Sequence, residues 1–156
     1  MSIELTGGCQ CGALRYRARV ASNAAYYCHC RMCQRAFGNV FATFFNVPAS
    51  NVAWERGEPK LFRSSKLAHR GFCAECGTPL SFQYDGAERI DLSVGSLDDP
   101  RVMRPAFHLC VESRLDAFHT PDGLPEHAIE ESADYQRSLA AAGGVPPAAT
   151  SGRGAC

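Results

Sequence analysis

The chain has 156 residues, the length of one domain, and its 46% hydrophobic content is ordinary for a globular core. Sixteen basic residues balance sixteen acidic ones, so the sequence lacks the broad positive face that binding to nucleic acid requires. No apolar run approaches the ~18 residues needed to cross a bilayer, and the N-terminus has no secretion signal. We therefore expect a cytoplasmic protein with neither nucleic-acid nor membrane partners.

Short runs of β-forming residues alternate with turn residues along most of the chain. Residues 13–20 alternate apolar and basic side chains, as a half-buried antiparallel strand does. Turn signals at spacings of roughly eight to twelve residues are typical of an all-β domain. The further predicted strands are residues 24–27, 40–47, 52–55, 60–63, 68–72, 80–84, 90–94 and 106–111.

Helical structure is predicted at two places only. Residues 31–37 should form one or two helical turns that end at Gly38, a suitable left-handed cap. A later helix is predicted within residues 126–142. Residues 143–156 lack bulky apolar side chains, and we expect a flexible tail there. The predicted organisation is a single domain over residues 1–142 followed by this tail.

The nine cysteines are the most informative residues of the sequence. A reducing compartment keeps most thiols free, so metal ligation explains their number better than disulfides do. Burial as small apolar residues explains an isolated cysteine well but explains grouped cysteines poorly. Seven of them lie in three short motifs: Cys9-Gln10-Cys11, Cys28-His29-Cys30-Arg31-Met32-Cys33 and Cys73-Ala74-Glu75-Cys76.

The first and last motifs together supply one complete set of metal ligands. A tetrahedral zinc site commonly takes four thiolates as two pairs, each presented by a tight turn. Cys9 and Cys11 would form one pair, and Cys73 and Cys76 the other. Such a site is closed and therefore structural. It would link the N-terminal segment to the middle of the chain.

The central motif predicts a site of another kind. Cys28, Cys30 and Cys33 can converge on one ion, because a turn brings Cys33 close to Cys30 and alternation puts Cys28 on the same face as Cys30. Three protein ligands leave one coordination position, the arrangement of catalytic zinc. That position would suit a thiol substrate, which would lose its proton there at neutral pH.

Several other ligand assignments stay open. His29 is disfavoured as a ligand because strand alternation points it away from its cysteine neighbours. Cys110 could complete the central site, although its apolar surroundings favour a buried structural cysteine. His69 and His119 are expected to be ordinary surface or core histidines. An iron–sulfur cluster ranks below zinc, since the Cys-x-Cys pairs do not match the usual ferredoxin spacings.

Three motifs with their flanking glycines give the sequence a family resemblance. From about Gly7 to Asp122 the chain resembles the glutathione-dependent formaldehyde-activating enzyme family, whose domain also occurs in centromere protein V. The motifs that carry the resemblance are Gly7-Gly8-Cys9-Gln10-Cys11-Gly12, Cys28-His29-Cys30-Arg31-Met32-Cys33-Gln34-Arg35 and Phe72-Cys73-Ala74-Glu75-Cys76-Gly77-Thr78-Pro79-Leu80.

The resemblance implies a fold, a metal content and an activity. The fold would be a β-tent of antiparallel sheets clamped by zinc. The namesake activity is the condensation of formaldehyde with the co-substrate glutathione to S-(hydroxymethyl)glutathione, a carbon–sulfur lyase reaction in reverse. By the same resemblance, the structural zinc would be held by Cys9, Cys11, Cys73 and Cys76, and the catalytic zinc by Cys28, Cys30 and Cys33.

The leading hypothesis is a zinc-dependent enzyme that makes or breaks a carbon–sulfur bond in the adduct of a thiol with a small aldehyde. Arg31 and Arg35, one helical turn apart, could bind a carboxylate of a glutathione-like substrate. His29 or His108 could move the proton. A non-catalytic zinc-binding scaffold or interaction module is the second hypothesis, and formaldehyde carriage without turnover is the third. Four protein ligands at both metals would favour the scaffold.

Overall fold

The computed structural model describes residues 2–144, which form two β-sheets and two short α-helices. The helices are α1 (Arg31–Phe37) and α2 (Ala133–Ala141). The strands are β1 (Ile3–Gly8), β2 (Arg15–Val20), β3 (Ala24–Cys28), β4 (Ala42–Pro48), β5 (Val52–Arg56), β6 (Lys60–Arg63), β7 (Ala68–Phe72), β8 (Pro79–Tyr84), β9 (Arg89–Ser93), β10 (Arg104–Leu109) and β11 (Glu126–His127).

The predicted all-β class is confirmed, and every predicted strand has a counterpart within a few residues of its expected bounds. Strand β1 was not predicted, because its Gly7-Gly8 end resembles a turn. The late helix is shorter than expected: residues 126–127 form β11, residues 129–131 form a 3-10 turn, and only α2 is helical. The predicted tail, residues 143–156, lies outside the described residues apart from its first two positions.

The two sheets differ in size and in strand direction. The smaller one is antiparallel with the order β1-β2-β5, and the larger one has the order β11-β10-β3-β4-β9-β8-β7-β6. Strand β10 runs parallel to both β3 and β11, a departure from the expected antiparallel pairing. Parallel pairing brings strand ends of the same sense together, so Leu109 is the register partner of Cys28. The residues that follow β3 and β10 are therefore neighbours.

A first apolar core fills the space between the two sheets. Tyr16 of β2 is fully buried, and its hydroxyl lies 2.8 Å from Ser96 Oγ. Gly7 of β1 makes this packing possible, because a Cβ there would lie 2.5 Å from Ser96 O and 2.6 Å from the Tyr16 ring. Burial of each large side chain contributes roughly 1.5–3 kcal/mol. The other large buried residues of this core are Phe45, Val47, Leu80 and Leu92.

A second core lies on the larger sheet beneath α2 and contains buried cysteines. Tyr135 and Leu139 of α2 and Ile129 of the preceding turn supply one side of it. The N-terminus of α2 is capped by Ser132, whose hydroxyl accepts a hydrogen bond from Tyr135 N. From the sheet side, the core receives Phe44, Phe82, Cys28, Cys30, Cys33 and Cys110. Both helices are short, and within residues 2–144 none is long and apolar enough to cross a membrane.

Asp91 is a carboxylate buried in the larger sheet. It lies on β9, is 8% exposed, and accepts a hydrogen bond of 2.8 Å from Asn46 Nδ2. Burial raises its pKa to about 6. A carboxyl group whose pKa is higher in the folded protein than in the unfolded chain destabilises the fold when it is ionised. The cost is therefore full above about pH 6 and falls as the pH falls toward the unfolded pKa of about 4.

We expect Asp91→Asn to stabilise the protein above pH 6, because asparagine keeps an acceptor for Asn46 and removes the buried charge. The free energy of unfolding should rise by up to about 3 kcal/mol at pH 7.5 and by little at pH 4. Urea unfolding at the two pH values measures this difference. Asp85→Asn is the control, since Asp85 is exposed and paired with Arg63. A gain for Asp91→Asn that is independent of pH would contradict the assignment.

Candidate functional site

The outer cysteine pairs meet where a turn of one sheet contacts a turn of the other. Cys9 and Cys11 lie between β1 and β2, and Cys73 and Cys76 lie between β7 and β8. One ligand atom from each of the four lies within 4.8 Å of all the others. The Sγ atoms of Cys9 and Cys11 are 3.5 Å apart, and those of Cys11 and Cys73 are 3.8 Å apart. The predicted convergence of the two pairs therefore occurs.

Local hydrogen bonds shape the second of these turns. Cys73 N donates to Thr78 O at 3.0 Å, and Gly77 N donates to Cys73 O at 2.9 Å. Gly77 has φ 75°, a conformation that favours glycine. The Thr78 hydroxyl lies 3.1 Å from Cys76 Sγ and also accepts a hydrogen bond from Gln10 N of the other turn. Hydrogen bonds from the Thr78 side chain and backbone lower the pKa of Cys76 to about 5.

This group fits a thiolate-bound metal ion. A tetrahedral site with Zn–S bonds of about 2.3 Å separates its sulfur atoms by about 3.8 Å. The observed separations of 3.5 and 3.8 Å are close to that value, and a thiol with a pKa of about 5 is ionised at neutral pH. The four cysteines could therefore hold one ion and join the two sheets through it.

The second cysteine group is buried and includes a residue from outside the central motif. Cys28, Cys30 and Cys110 form a group whose sulfur atoms all lie within 4.8 Å of one another. The Sγ atoms of Cys28 and Cys110 are 3.9 Å apart. Cys33 lies outside this tightest group, but its thiol interacts with those of Cys28 and Cys30. Cys110 thus takes the place in the closest group that the motif alone assigned to Cys33, which lies next to that group.

Each of these cysteines is placed by the end of a regular element. Cys28 ends β3, and Cys30 is the N-cap of α1, where its Sγ accepts a hydrogen bond from Cys33 N at 3.2 Å. Strict alternation would put Cys110 on the same face as His108. Cys110 instead has φ 60°, a left-handed conformation that is costly for a residue with a Cβ, and its side chain turns toward Cys28.

A buried glutamine ties the central motif to the segment after Cys110. Gln34 Nε2 donates to His29 O at 2.7 Å and to Ser113 O at 3.1 Å. Arg31 Nη1 donates to Gln34 Oε1 at 2.8 Å, and Arg35 is exposed. Arg31 therefore orients the glutamine, and neither arginine lines the cavity described below. The structure does not bring these two predicted carboxylate-binding residues to the cysteines.

Crowding makes the buried Cys33 thiol hard to ionise without a cation. A hydrogen bond with Cys28 lowers the pKa of Cys33, but the Cys30 thiol and burial outweigh it and raise the value to about 12. Arg70 of β7 partly offsets this cost, since its Nη2 donates to Cys33 Sγ at 3.3 Å. A set of soft donors that needs positive charge is suited to a metal ion.

A cavity of about 570 Å³ adjoins the second group. It lies between the larger sheet and the segment that leads into α2, and Cys28, Cys30, Cys33 and Cys110 are all part of its wall. Arg70 and Asp91 are its buried charged residues. The remaining wall is rich in aromatic rings, with Tyr26 stacked on Phe107 at 5.0 Å. The other rings belong to Phe44, Phe82 and Tyr84.

Among the described residues, His127 is the one histidine in the wall of this cavity, and the histidines considered above as ligands or proton carriers lie elsewhere. His29 Nε2 is 2.8 Å from His108 Nδ1, and His108 Nε2 is 3.1 Å from an oxygen of Asp122. All three line a separate cavity of about 240 Å³ that contains no cysteine. Burial, together with the charge of His108, lowers the pKa of His29 to about 4. The structure therefore places neither His29 nor His108 beside the thiols, and His69 and His119 are in neither cysteine group.

Two residues of the site could not be found from local sequence patterns. Cys110 was considered as a ligand but disfavoured, because its apolar surroundings favoured a buried structural cysteine. The parallel pairing of β3 with β10 is what brings it near Cys28. Arg70 was not singled out at all. It is three residues before Cys73 in the sequence, yet its guanidinium contacts the other cysteine group.

The profile of the family described as glutathione-dependent formaldehyde-activating enzyme matches residues 4–113. An uncharacterized lyase of Schizosaccharomyces pombe (strain 972) is 32% identical over 81 residues, so the similarity spans 52% of this chain but only 58% of that protein. A crystal structure of a Rhodobacter sphaeroides protein has the same fold, with a TM-score of 0.54, 22% identity, and coverage of 78% of this chain and 99% of that one. The matched range contains both cysteine groups and covers more than half of the sequence. The chain therefore belongs to the glutathione-dependent formaldehyde-activating enzyme family.

Proposed function

We propose that this protein is a lyase-type enzyme that makes or breaks the carbon–sulfur bond in an adduct of a small aldehyde with glutathione or another thiol. One observation supports it above all: the second cysteine group forms part of the wall of a large, partly apolar cavity. Enclosed cavities with a few convergent polar groups are typical of small-molecule sites. The family match and the lyase name of the yeast relative support the same reaction class.

In this proposal the two cysteine groups have different tasks. Cys9, Cys11, Cys73 and Cys76 hold a structural zinc ion, and Cys28, Cys30 and Cys33 hold a catalytic one. Zinc in the second set would lower the pKa of a substrate thiol and polarise a carbonyl oxygen nearby. The proposal includes a reducing, cytoplasmic location, because thiolate-bound zinc sites need cysteines that are kept from forming disulfides.

The residues of the cavity would bind the substrate and exclude water. In the condensation direction, the thiol sulfur forms a bond to the aldehyde carbon, the carbonyl π bond breaks, and the thiol proton moves to the carbonyl oxygen. Arg70 places positive charge beside Cys33 and so favours an anionic sulfur there. Asp91 lines the same cavity, and burial raises its pKa to about 6. A carboxyl group with a pKa near the working pH is suited to moving that proton.

The scaffold hypothesis remains the second candidate because of Cys110. Its Sγ lies 3.9 Å from Cys28 Sγ, close to the spacing of about 3.8 Å for two sulfur ligands of one zinc ion. If Cys110 is a permanent fourth ligand, both sites are closed and structural. If the lyase proposal is right, Cys110 must give up its place to the substrate.

The purified protein should accelerate formation of S-(hydroxymethyl)glutathione from formaldehyde and glutathione above the uncatalysed rate. We expect Cys30→Ser to reduce the rate constant to the buffer value, because it removes a ligand of the catalytic ion. Exchange spectroscopy by NMR measures both rates at equilibrium. Glutathione binding without acceleration would identify a carrier, and a panel of other thiols then tests whether glutathione is simply the wrong substrate.

The Cys110→Ala variant distinguishes the lyase proposal from the scaffold hypothesis. The lyase proposal predicts that this variant stays folded, keeps two zinc ions per chain and reacts at least as fast as the wild type. The scaffold hypothesis predicts loss of the second ion and of several kcal/mol of stability. Elemental analysis, thermal unfolding and the rate assay measure these outcomes. Cys76→Ala serves as the control that must lose the structural ion.

The two groups should also respond differently to single ligand replacements. Cys73→Ser should unfold or aggregate the protein, since the contact between the sheets would lose its ion and several kcal/mol. Cys30→Ser should leave a folded domain with one zinc ion fewer. Circular dichroism and zinc analysis of the soluble fraction measure both properties. Equal loss of folding in both variants would contradict the division into structural and catalytic sites.

A further inference from the structure

Arg70 is a buried cation with unused hydrogen-bond donors. The residue lies on β7 and is 7% exposed. Its guanidinium carbon sits 4.8 Å from the centre of the Phe82 ring, and its Nη2 donates to Cys33 Sγ. Its Nε and Nη1 atoms are shielded from solvent and have no hydrogen-bond partner within the described part of the chain. A guanidinium has five N–H donors, of which these two nitrogens carry three.

Such an arrangement is unfavourable unless another molecule completes it. A buried donor without an acceptor bears the full desolvation cost of its group, and the cost is larger for a charged group. The Cys33 thiol offsets only part of it, because sulfur is a weak acceptor. Since Arg70 lines the 570 Å³ cavity, a ligand in that cavity can supply the missing acceptors.

The surroundings of Arg70 indicate the chemistry of this ligand. A carboxylate matches a guanidinium best, because its two oxygens can accept several charge-assisted hydrogen bonds at once. Within residues 2–144, the only other arginine in the cavity wall is Arg89, which is exposed and already donates to Asn46. The Phe82 ring lies against the Arg70 guanidinium, and the Tyr84 and Phe44 rings belong to the same cavity wall, as does the buried carboxyl group of Asp91.

We propose that Arg70 anchors the carboxylate of an apolar thiol acid, or of its aldehyde adduct, whose hydrocarbon part packs against the aromatic wall. Because the Arg70 guanidinium contacts Cys33 directly, a carboxylate bound to the other nitrogen atoms of that group would lie close to the thiols. The substrate therefore carries its acid group close to its sulfur. This inference deepens the proposed function by naming a substrate class, and it replaces Arg31 and Arg35 as the carboxylate-binding residues.

The competing explanation is that Arg70 only neutralises thiolate charge. In that case the cavity would bind an acid no better than the corresponding neutral amide. The two explanations predict different binding affinities for an acid and its amide, and no catalytic turnover is needed to measure them. A ligand that has no thiol can therefore distinguish the two.

The experiment compares 3-phenylpropanoate with 3-phenylpropanamide, by calorimetric titration into the zinc-loaded protein. We expect the wild type to bind the acid at least about tenfold more tightly than the amide. Arg70→Gln should abolish that preference, while Arg89→Gln should keep it. Equal binding of the acid and the amide to the wild type would overturn the proposal. So would a preference that survives Arg70→Gln at unchanged zinc content.

A second measurement does not depend on the variant folding. In the wild type, the Arg70 Nε–H resonance, assigned by through-bond correlation to the backbone amide of the same residue, should shift on titration with the acid and stay in place with the amide. No shift with the acid would overturn the anchor. A failed lyase reaction gives a different result: the acid preference would then be present, but no thiol acid would react faster than in buffer.

Discussion

The contact between two turns, one from each sheet, is the constraint on which the remaining structure depends. The turn with Cys9 and Cys11 belongs to the smaller sheet, and the turn with Cys73 and Cys76 belongs to the larger one. Four thiols at this spacing repel one another once ionised, so a cation between them would make the contact more favourable. If a zinc ion binds between the two turns, as proposed, it would fix the angle between the two sheets. The first core, around Tyr16, lies between the same two sheets and receives Cys9 and Cys73 from these turns.

Side chains alternate along the neighbouring parallel strands β3 and β10, and this alternation puts the thiols and the imidazoles on opposite faces of the larger sheet. Tyr26 and Cys28 of β3 line the large cavity together with Phe107 and Leu109 of β10. The residues between them point the other way, so that His29 and His108 meet in the small cavity. Thiols and imidazoles that are adjacent in sequence are thus on opposite sides of one sheet. A proton carrier for the thiol site would have to come from another strand, and Asp91 of β9 and His127 of β11 both line the large cavity.

Local sequence patterns predicted the parts of this site that are held together by local hydrogen bonds. The cap at Gly38, with φ 58°, and the turns around both outer cysteine pairs follow from residues a few positions apart. Strand β1 was missed because Gly7 serves a distant contact with Tyr16 and has no local role. The positions of Cys110 and Arg70 depend on sheet order, which brings β10 beside β3 and β7 within reach of α1. No spacing rule within the sequence contains that information.

Charge balance connects the open-site proposal to Arg70. A divalent cation held by three thiolates carries a net charge of −1, and Arg70, which contacts Cys33, brings the buried region to zero. Adding the Cys110 thiolate makes the region negative again, and the left-handed backbone at that residue adds strain. A neutral Cys110 thiol avoids that charge but then binds the cation weakly. A substrate thiolate in that position adds the same single negative charge as the Cys110 thiolate, so charge alone does not distinguish them. The substrate differs in two other ways: it avoids the strained backbone at Cys110, and its carboxylate supplies acceptors to the Arg70 donors that lack them among the described residues. The same buried guanidinium would therefore select the substrate and favour its exchange with Cys110.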